Sequence, residues 1–250
     1  MILIIMIDIS RLTPEMLSTE PYRWAFVDRL FSVSDAAALV ESFPCDHFKT
    51  VTGYDGEKGY QYEARSLISM GAAAPTHSQF LSPAWRRLAE DLLSTEYRGA
   101  MSSLTGVKLD ELAIEANVFH YGRKAWLGPH VDLPDKVVTH IFYFNESWDN
   151  GDGGCLTILR DNDATQPVKV IPPIVGNSVV VVRSENSWHA VSRVHDKSDQ
   201  SRRSLTVTFY RPGSLSTLWP IGDNTPLHDY TGEHSNFSRW VRQGWQRLKG

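Results

Sequence analysis

The chain has 250 residues, of which 42% are hydrophobic and 22% charged, a balance that supports a full globular core. A formal net charge of −4 leaves no basic footprint for a nucleic-acid partner. Two cysteines, Cys45 and Cys155, fit a reducing compartment better than a disulfide scaffold.

Residues 1–7 are apolar but too few to span a bilayer, and they lack the charged flank and cleavage site of a secretory signal. They read as an edge strand or a start-site artefact, and the expected location is the cytoplasm, with no membrane partner. Ser34 and Asp35 predict a cap for a helix over 36–43, ended by Pro44. Residues 49–68, polar and containing glycine and tyrosine, read as loop-rich with short strands. Trp85, Leu88, Leu92 and Leu93 recur at helical spacing and predict a helix over about 83–103.

From about Glu111 the period changes to two. Strands are expected over 112–121, 137–145, 155–159, 168–171, 178–183, 190–194 and 202–211. Turn signals such as Asn150-Gly-Asp-Gly-Gly154 separate them. Seven close strands after a helical half indicate a mainly β chain with helical support (α+β), a sandwich or jelly roll with helices over one sheet. No domain boundary interrupts it. A single domain is expected, with a helical support region at 1–110, the core at 111–212 and an extension at 213–250. In that extension Phe237, Trp240, Val241 and Trp245 share a helical face and predict a final helix over 237–248.

The chemistry concentrates in Gly128-Pro-His-Val-Asp132. A histidine and an aspartate two apart, on a loop leaving a strand, can turn toward one point. The best source of a third ligand is His189 in Asn186-Ser-Trp-His189, after the strong strand at 178–183. Two imidazoles and a carboxylate occupy one face of an octahedral iron and leave three positions for a chelating cosubstrate and dioxygen. Thirteen residues after His189 begins Arg202-Arg-Ser-Leu-Thr-Val-Thr-Phe-Tyr210. A dicarboxylate held on iron by its keto-acid end needs a fixed cation at the other, and arginine's planar fork suits it. Alternation places Arg202, Ser204, Thr206 and Thr208 on one polar face and Arg203, Leu205, Val207 and Phe209 on the other.

His130-Val-Asp132, Ile141-Phe-Tyr-Phe-Asn145, Trp148, Gly153-Gly154, His189 and the Arg202 strand follow one order and spacing. Together they resemble the prolyl-hydroxylase-like branch of the Fe(II)/2-oxoglutarate-dependent oxygenase superfamily, over about 100 residues. The resemblance implies a double-stranded β-helix (jelly-roll) core that uses Fe(II), 2-oxoglutarate and O2. It further implies decarboxylation of 2-oxoglutarate to succinate and CO2, coupled to oxidation of a substrate C–H bond. By the same resemblance His130, Asp132 and His189 bind the metal, and Arg202 binds the cosubstrate with Tyr143, Tyr121 and Thr206 beside it. Arg203 is the alternative cation.

Glu115, Asn117, Trp126 and Arg123 are the candidates for substrate contact. His140 and His195 read as structural or solvent-exposed, and Asp149, Asp152, Asp161 and Asp163 as turn residues whose spacing fits no EF-hand. The expected function is hydroxylation of a small metabolite, an amino acid or natural-product intermediate. Asp132 fills a position that halogenating relatives leave small. The alternatives are a protein prolyl or residue hydroxylase, and a non-catalytic or cupin-like metal-binding jelly roll.

Overall fold

The structure, a computed structural model, describes residues 5–54 and 59–232. The helix expected over 237–248 lies outside them, as do residues 1–4. Residues 5–8 form no strand: Met6 and Ile7 are buried, and their N–H groups donate to the carboxylate of Asp91. Strands β1 (Leu17–Ser18) and β2 (Trp24–Val27) precede helix α1 (Val33–Glu41). The cap of α1 is Ser32, two residues before the expected one. Its hydroxyl accepts from the Asp35 N–H at 3.1 Å and donates to the Asp35 carboxylate at 2.8 Å.

Residues 49–68 are a true hairpin of β3 (Lys49–Tyr54) and β4 (Gly59–Ile68). Its polar composition disguised it as loop. The single helix expected over 83–103 is two, α2 (Pro83–Leu93) and α3 (Thr95–Thr105), because Ser94 adopts extended backbone and caps the second. Six of the seven expected strands appear in order as β5 (Ala113–Tyr121), β7 (Lys136–Tyr143), β8 (Leu156–Ile158), β9 (Lys169–Ile171), β10 (Ser178–Val182) and β11 (His189–Val191). The seventh is β12 (Arg202–Tyr210). The stretch expected to loop toward His130 is itself a strand, β6 (Trp126–His130).

The strands form one curled sheet in the order β1-β2-β10-β7-β12-β5-β4-β6-β11-β8-β9, with β3 added beside β4. It is a jelly roll: β4 pairs with β5 on one side and with β6 on the other, so the long hairpin strand joins the two halves of the curl. Side-chain alternation separates two cores. Outward residues such as Val118, Phe142, Val180, Leu205 and Phe209 pack with Trp85, Leu88, Tyr97 and Met101 of the helices. Inward residues such as Tyr121, Ile141, Tyr143, Val179 and Val181 meet Leu156, Ile158 and Val191 across the curl. Buried on both faces, β10 therefore reads as an unbroken run of valines rather than an alternating strand.

Turn chemistry holds the opposite half in place. Gly153 sits at φ +67°, and a Cβ there would lie 2.0 Å from the carbonyl oxygen of Arg193, so only glycine fits. Its own carbonyl accepts from Trp148 Nε1 at 2.7 Å.

Two histidines are buried in the helix-side half. His140 Nδ1 lies 3.0 Å from the Tyr97 hydroxyl. His120 Nδ1 lies 2.8 Å from Ser201 Oγ, and its ring stacks on Tyr230. Burial lowers each imidazole to about 3. An unfolded chain takes up these protons near 6.5 and the folded one does not, so stability is complete above 6.5 and falls as the pH drops toward 3. Each histidine contributes a slope of about 1.4 kcal/mol per pH unit in that window. Urea denaturation between pH 6.5 and 4.5 should show a slope flatter by about that amount in His140→Asn, which keeps a partner for Tyr97.

Candidate metal centre

His130 ends β6, Asp132 follows two residues later, and His189 opens β11, which pairs with β6 so that His189 stands opposite His130. One ligand atom from each of the three lies within 4.8 Å of the others, and all three residues are buried. The two imidazole rings are 4.3 Å apart. The backbone sets their tautomers. His130 Nδ1 lies 2.9 Å from the carbonyl of Gly128, and His189 Nδ1 lies 2.9 Å from that of Ser187. A carbonyl only accepts, so each Nδ1 carries the hydrogen and each Nε2 presents a lone pair.

Asp132 is only 6% exposed. Its Oδ1 accepts from Lys136 Nζ at 2.7 Å and its Oδ2 from Thr139 Oγ1 at 2.9 Å. Burial alone would raise its carboxyl, but Lys136, His189 and His130 outweigh that and hold it well below the usual carboxylate range. Neither Lys136 nor Thr139 was among the expected site residues. The signal was available: Lys136 lies four residues past Asp132, and Thr139 shares the inward phase of Tyr143.

The residues therefore offer two imidazole nitrogens and one carboxylate oxygen in a buried cluster, a donor set that fits a divalent iron with open positions. Among the described residues this is the only group of three or more such side chains that could hold a metal ion.

The inner face of β12 carries the second half of the centre. Arg202 is 2% exposed and lies over two rings, with Tyr121 at 4.8 Å and Tyr143 at 5.2 Å. Its Nη1 donates to Ser204 Oγ at 2.7 Å, while Nε and the buried Tyr143 hydroxyl have no hydrogen-bond partner. No carboxylate pairs with Arg202 among the described residues. A buried guanidinium in this state calls for an anion. Arg203 points the other way, toward the ring of Phe43 at 5.6 Å, and its backbone N–H donates to Asn145 Oδ1 at 2.9 Å.

The expected substrate residues are placed differently from one another. Glu115 and Asn117 face inward but are occupied by residues 216–219 of the C-terminal segment. Glu115 accepts from Tyr210 and Ser216, and Asn117 Oδ1 accepts from Trp219 Nε1 at 2.7 Å. Lys49 Nζ clasps the same segment, donating to the Leu218 carbonyl and to Asp223 and lying 4.2 Å from the Trp219 ring. Trp126 lies under Arg193 at 4.0 Å, and Arg123 donates to the Ser198 carbonyl at 2.9 Å. These contacts hold both on the loop around 193–199 rather than at the triad. His140 is structural, and His195 is exposed beside Asp196.

Residues 116–210 match the family described as the 2OG-Fe(II) oxygenase superfamily. An oxidoreductase of the 2OG-Fe(II) oxygenase family from Burkholderia pseudomallei is similar in structure, at 18% identity and a TM-score of 0.52, over 75% of this chain and 84% of that one. A prolyl 4-hydroxylase from Phytophthora capsici is similar at 18% identity and a TM-score of 0.51, over 96% of this chain and 73% of that one. Both likenesses are of fold. No curated protein sequence matches the chain. No helix among the described residues is long and apolar enough to cross a membrane.

In the metal-free protein Lys136 is the main countercharge of Asp132. Lys136→Met should lower stability by about 2–3 kcal/mol, the effect of stranding one partner of a largely buried pair. Co(II) should then raise the melting temperature of the variant more than that of the wild type, because the metal replaces the missing charge. Equal shifts in calorimetry would contradict this role.

Proposed function

We propose that the chain is a 2-oxoglutarate-dependent oxygenase that hydroxylates an unactivated C–H bond of a small molecule; residues 116–210 match the 2OG-Fe(II) oxygenase superfamily. The reaction uses Fe(II), 2-oxoglutarate and O2. When bound, these supply an oxidation in which one oxygen atom enters succinate, released with CO2, and the other enters the substrate.

His130, Asp132 and His189 would hold the iron. Their orientation and charge suit it: Nδ1 of each imidazole faces a backbone carbonyl, leaving Nε2 for the metal, and the carboxylate is ionised before any metal arrives. Thr139 and Lys136 fix the rotamer of Asp132 through its two oxygens. Asp132 also fills the position that would otherwise leave room for a halide, which favours oxygen transfer.

Arg202 would take the distal carboxylate of 2-oxoglutarate. The observation that carries this reading is its burial without an anionic partner, on the inner face shared with Thr139, the residue that donates to Asp132. Tyr121 and Tyr143 flank the guanidinium and exclude water from it, and the Tyr143 hydroxyl is an unspent donor for the same carboxylate. Thr206 lies four residues past Arg202 on the same inner face, toward the substrate side of the cosubstrate.

A small molecule is favoured over a peptide by residues 216–219. They lie against Glu115 and Asn117 and are clasped by Lys49, so that end of the inner face offers no open groove.

Anaerobic addition of Fe(II) and 2-oxoglutarate to the apoprotein should produce the visible charge-transfer band of chelated cosubstrate. Asp132→Ala should abolish it. Arg202→Ala should retain metal binding but raise the 2-oxoglutarate needed for half-maximal absorbance by about 10- to 100-fold, the equivalent of one or two charge-assisted hydrogen bonds. A metal-loaded, folded wild type without the band would refute the assignment.

A further inference from the structure

The inner face can be surveyed residue by residue for the surface a substrate would meet. On β5, Glu115, Asn117 and Tyr121 are buried, while Phe119 and, at the strand's far end, Ala113 are partly exposed. On β12, Arg202, Ser204, Thr208 and Tyr210 are buried and only Thr206 is partly exposed. On β7, Thr139, Ile141 and Tyr143 are all buried. What remains open lies between the segment held by Asn117 on one side and the Arg202–Tyr121 pair on the other.

β4 and β6 complete that opening. Phe119 stands opposite Ala64, so Tyr62 and Tyr60, two and four residues back along β4, share its face. Tyr60 stands opposite Leu127, which is three residues before His130. Tyr62 and Phe119 meet edge to face at 5.4 Å, and Tyr60 lies 6.0 Å from Tyr62. Tyr60, Tyr62, Phe119 and Leu127 are all partly exposed. Of the ionisable groups on this side of the curl, Glu115 is held by Tyr210 and Ser216, Lys136 by Asp132 and Lys49 by Asp223, while Arg202, behind Tyr121, is the group assigned above to the cosubstrate.

We propose that Tyr60, Tyr62, Phe119 and Leu127 form a platform for a planar, neutral ring of the substrate, with the Thr206 hydroxyl as its hydrogen-bonding partner. The inference rests on the oxygenase reading and narrows its substrate class. Partly exposed aromatic rings reward the burial of a flat apolar face, and ring pairs add about 0.5–1.5 kcal/mol beyond area alone. A hydroxyl beside the ring faces orients such a ring without demanding charge. The platform runs from beside the cosubstrate arginine to the strand of His130, so a ring lying on it is held next to the triad.

Indole is the probe, a neutral planar ring with one N–H donor. Co(II) replaces iron to prevent turnover, 2-oxoglutarate is added, and paramagnetic broadening of the indole protons is followed by NMR. The wild type should broaden indole at millimolar concentration, and Phe119→Ala should weaken the effect at least fivefold. Thr206→Val should weaken it by a smaller factor. A Pro-Gly repeat pentapeptide serves as the extended competitor and should produce less broadening than indole.

Each variant is first checked for Co(II) loading by its d–d absorption. If Phe119→Ala fails that check, Phe119→Leu keeps the apolar volume and removes only the ring. Absence of indole broadening in loaded wild type, equal broadening in the Phe119 variant, or stronger broadening of the pentapeptide would each overturn the platform. The Fe(II)–2-oxoglutarate band separates the two failures: its presence without ring binding removes this inference alone, and its absence removes the reading beneath it.

Discussion

An ionised carboxylate in the interior of a protein needs compensation, and the arrangement around Asp132 is organised to provide it. Lys136 and Thr139 reach it from β7, and His130 and His189 face it from β6 and β11. Satisfying one buried charge thus brings three strands from both halves of the curl to one point. The backbone carbonyls of Gly128 and Ser187 then orient the imidazoles, so the donor set is preorganised before a metal enters. Arg202 is the complementary case, a buried cation left without an anion and framed by two tyrosine rings. A chain with one compensated carboxylate and one uncompensated guanidinium inside the same curl is shaped for a ligand that carries negative charge at the second place.

The legibility of this arrangement varied with how local each cause was. Because half-buried strands must alternate, the period-two pattern after Glu111 marked seven strands of the jelly roll to within three residues, the largest difference being β11, which ends at Val191; β6 was read as a loop. The phase of β12 was legible for the same reason, and it places Arg202 inward and Arg203 against Phe43. His130, Asp132 and His189 stood out because residue types that ligate metals are conspicuous around turns. The β3–β4 hairpin was not legible, since its pairing partners β5 and β6 lie far along the chain and its own residues are polar. The break at Ser94 was missed because apolar spacing continues across it. The roles of Glu115 and Asn117 depend on Ser216 and Trp219, about a hundred residues later, and no local pattern announces that meeting.

The hairpin does more than extend the sheet. Because β4 hydrogen-bonds to β5 and β6, it fixes the distance between the strand whose neighbour carries Arg202 and the strand that ends in His130. The aromatic rings on its inner face follow from that placement, since alternation alone turns Tyr60 and Tyr62 toward the opening.

The pairing of β2 with β10 carries a consequence for how the chain reaches this state. The Ser178 hydroxyl donates to the carbonyl of Val27, a partner 151 residues away, and the two strands align over four residue pairs. Loop closure over such spans slows folding, and a ribosome delivers β2 long before β10 exists. The edge of β2 that β10 will take must therefore wait unpaired while the residues between them emerge. The nascent chain spends that interval with one edge of an apolar strand unpaired, the kind of segment that chaperones shield.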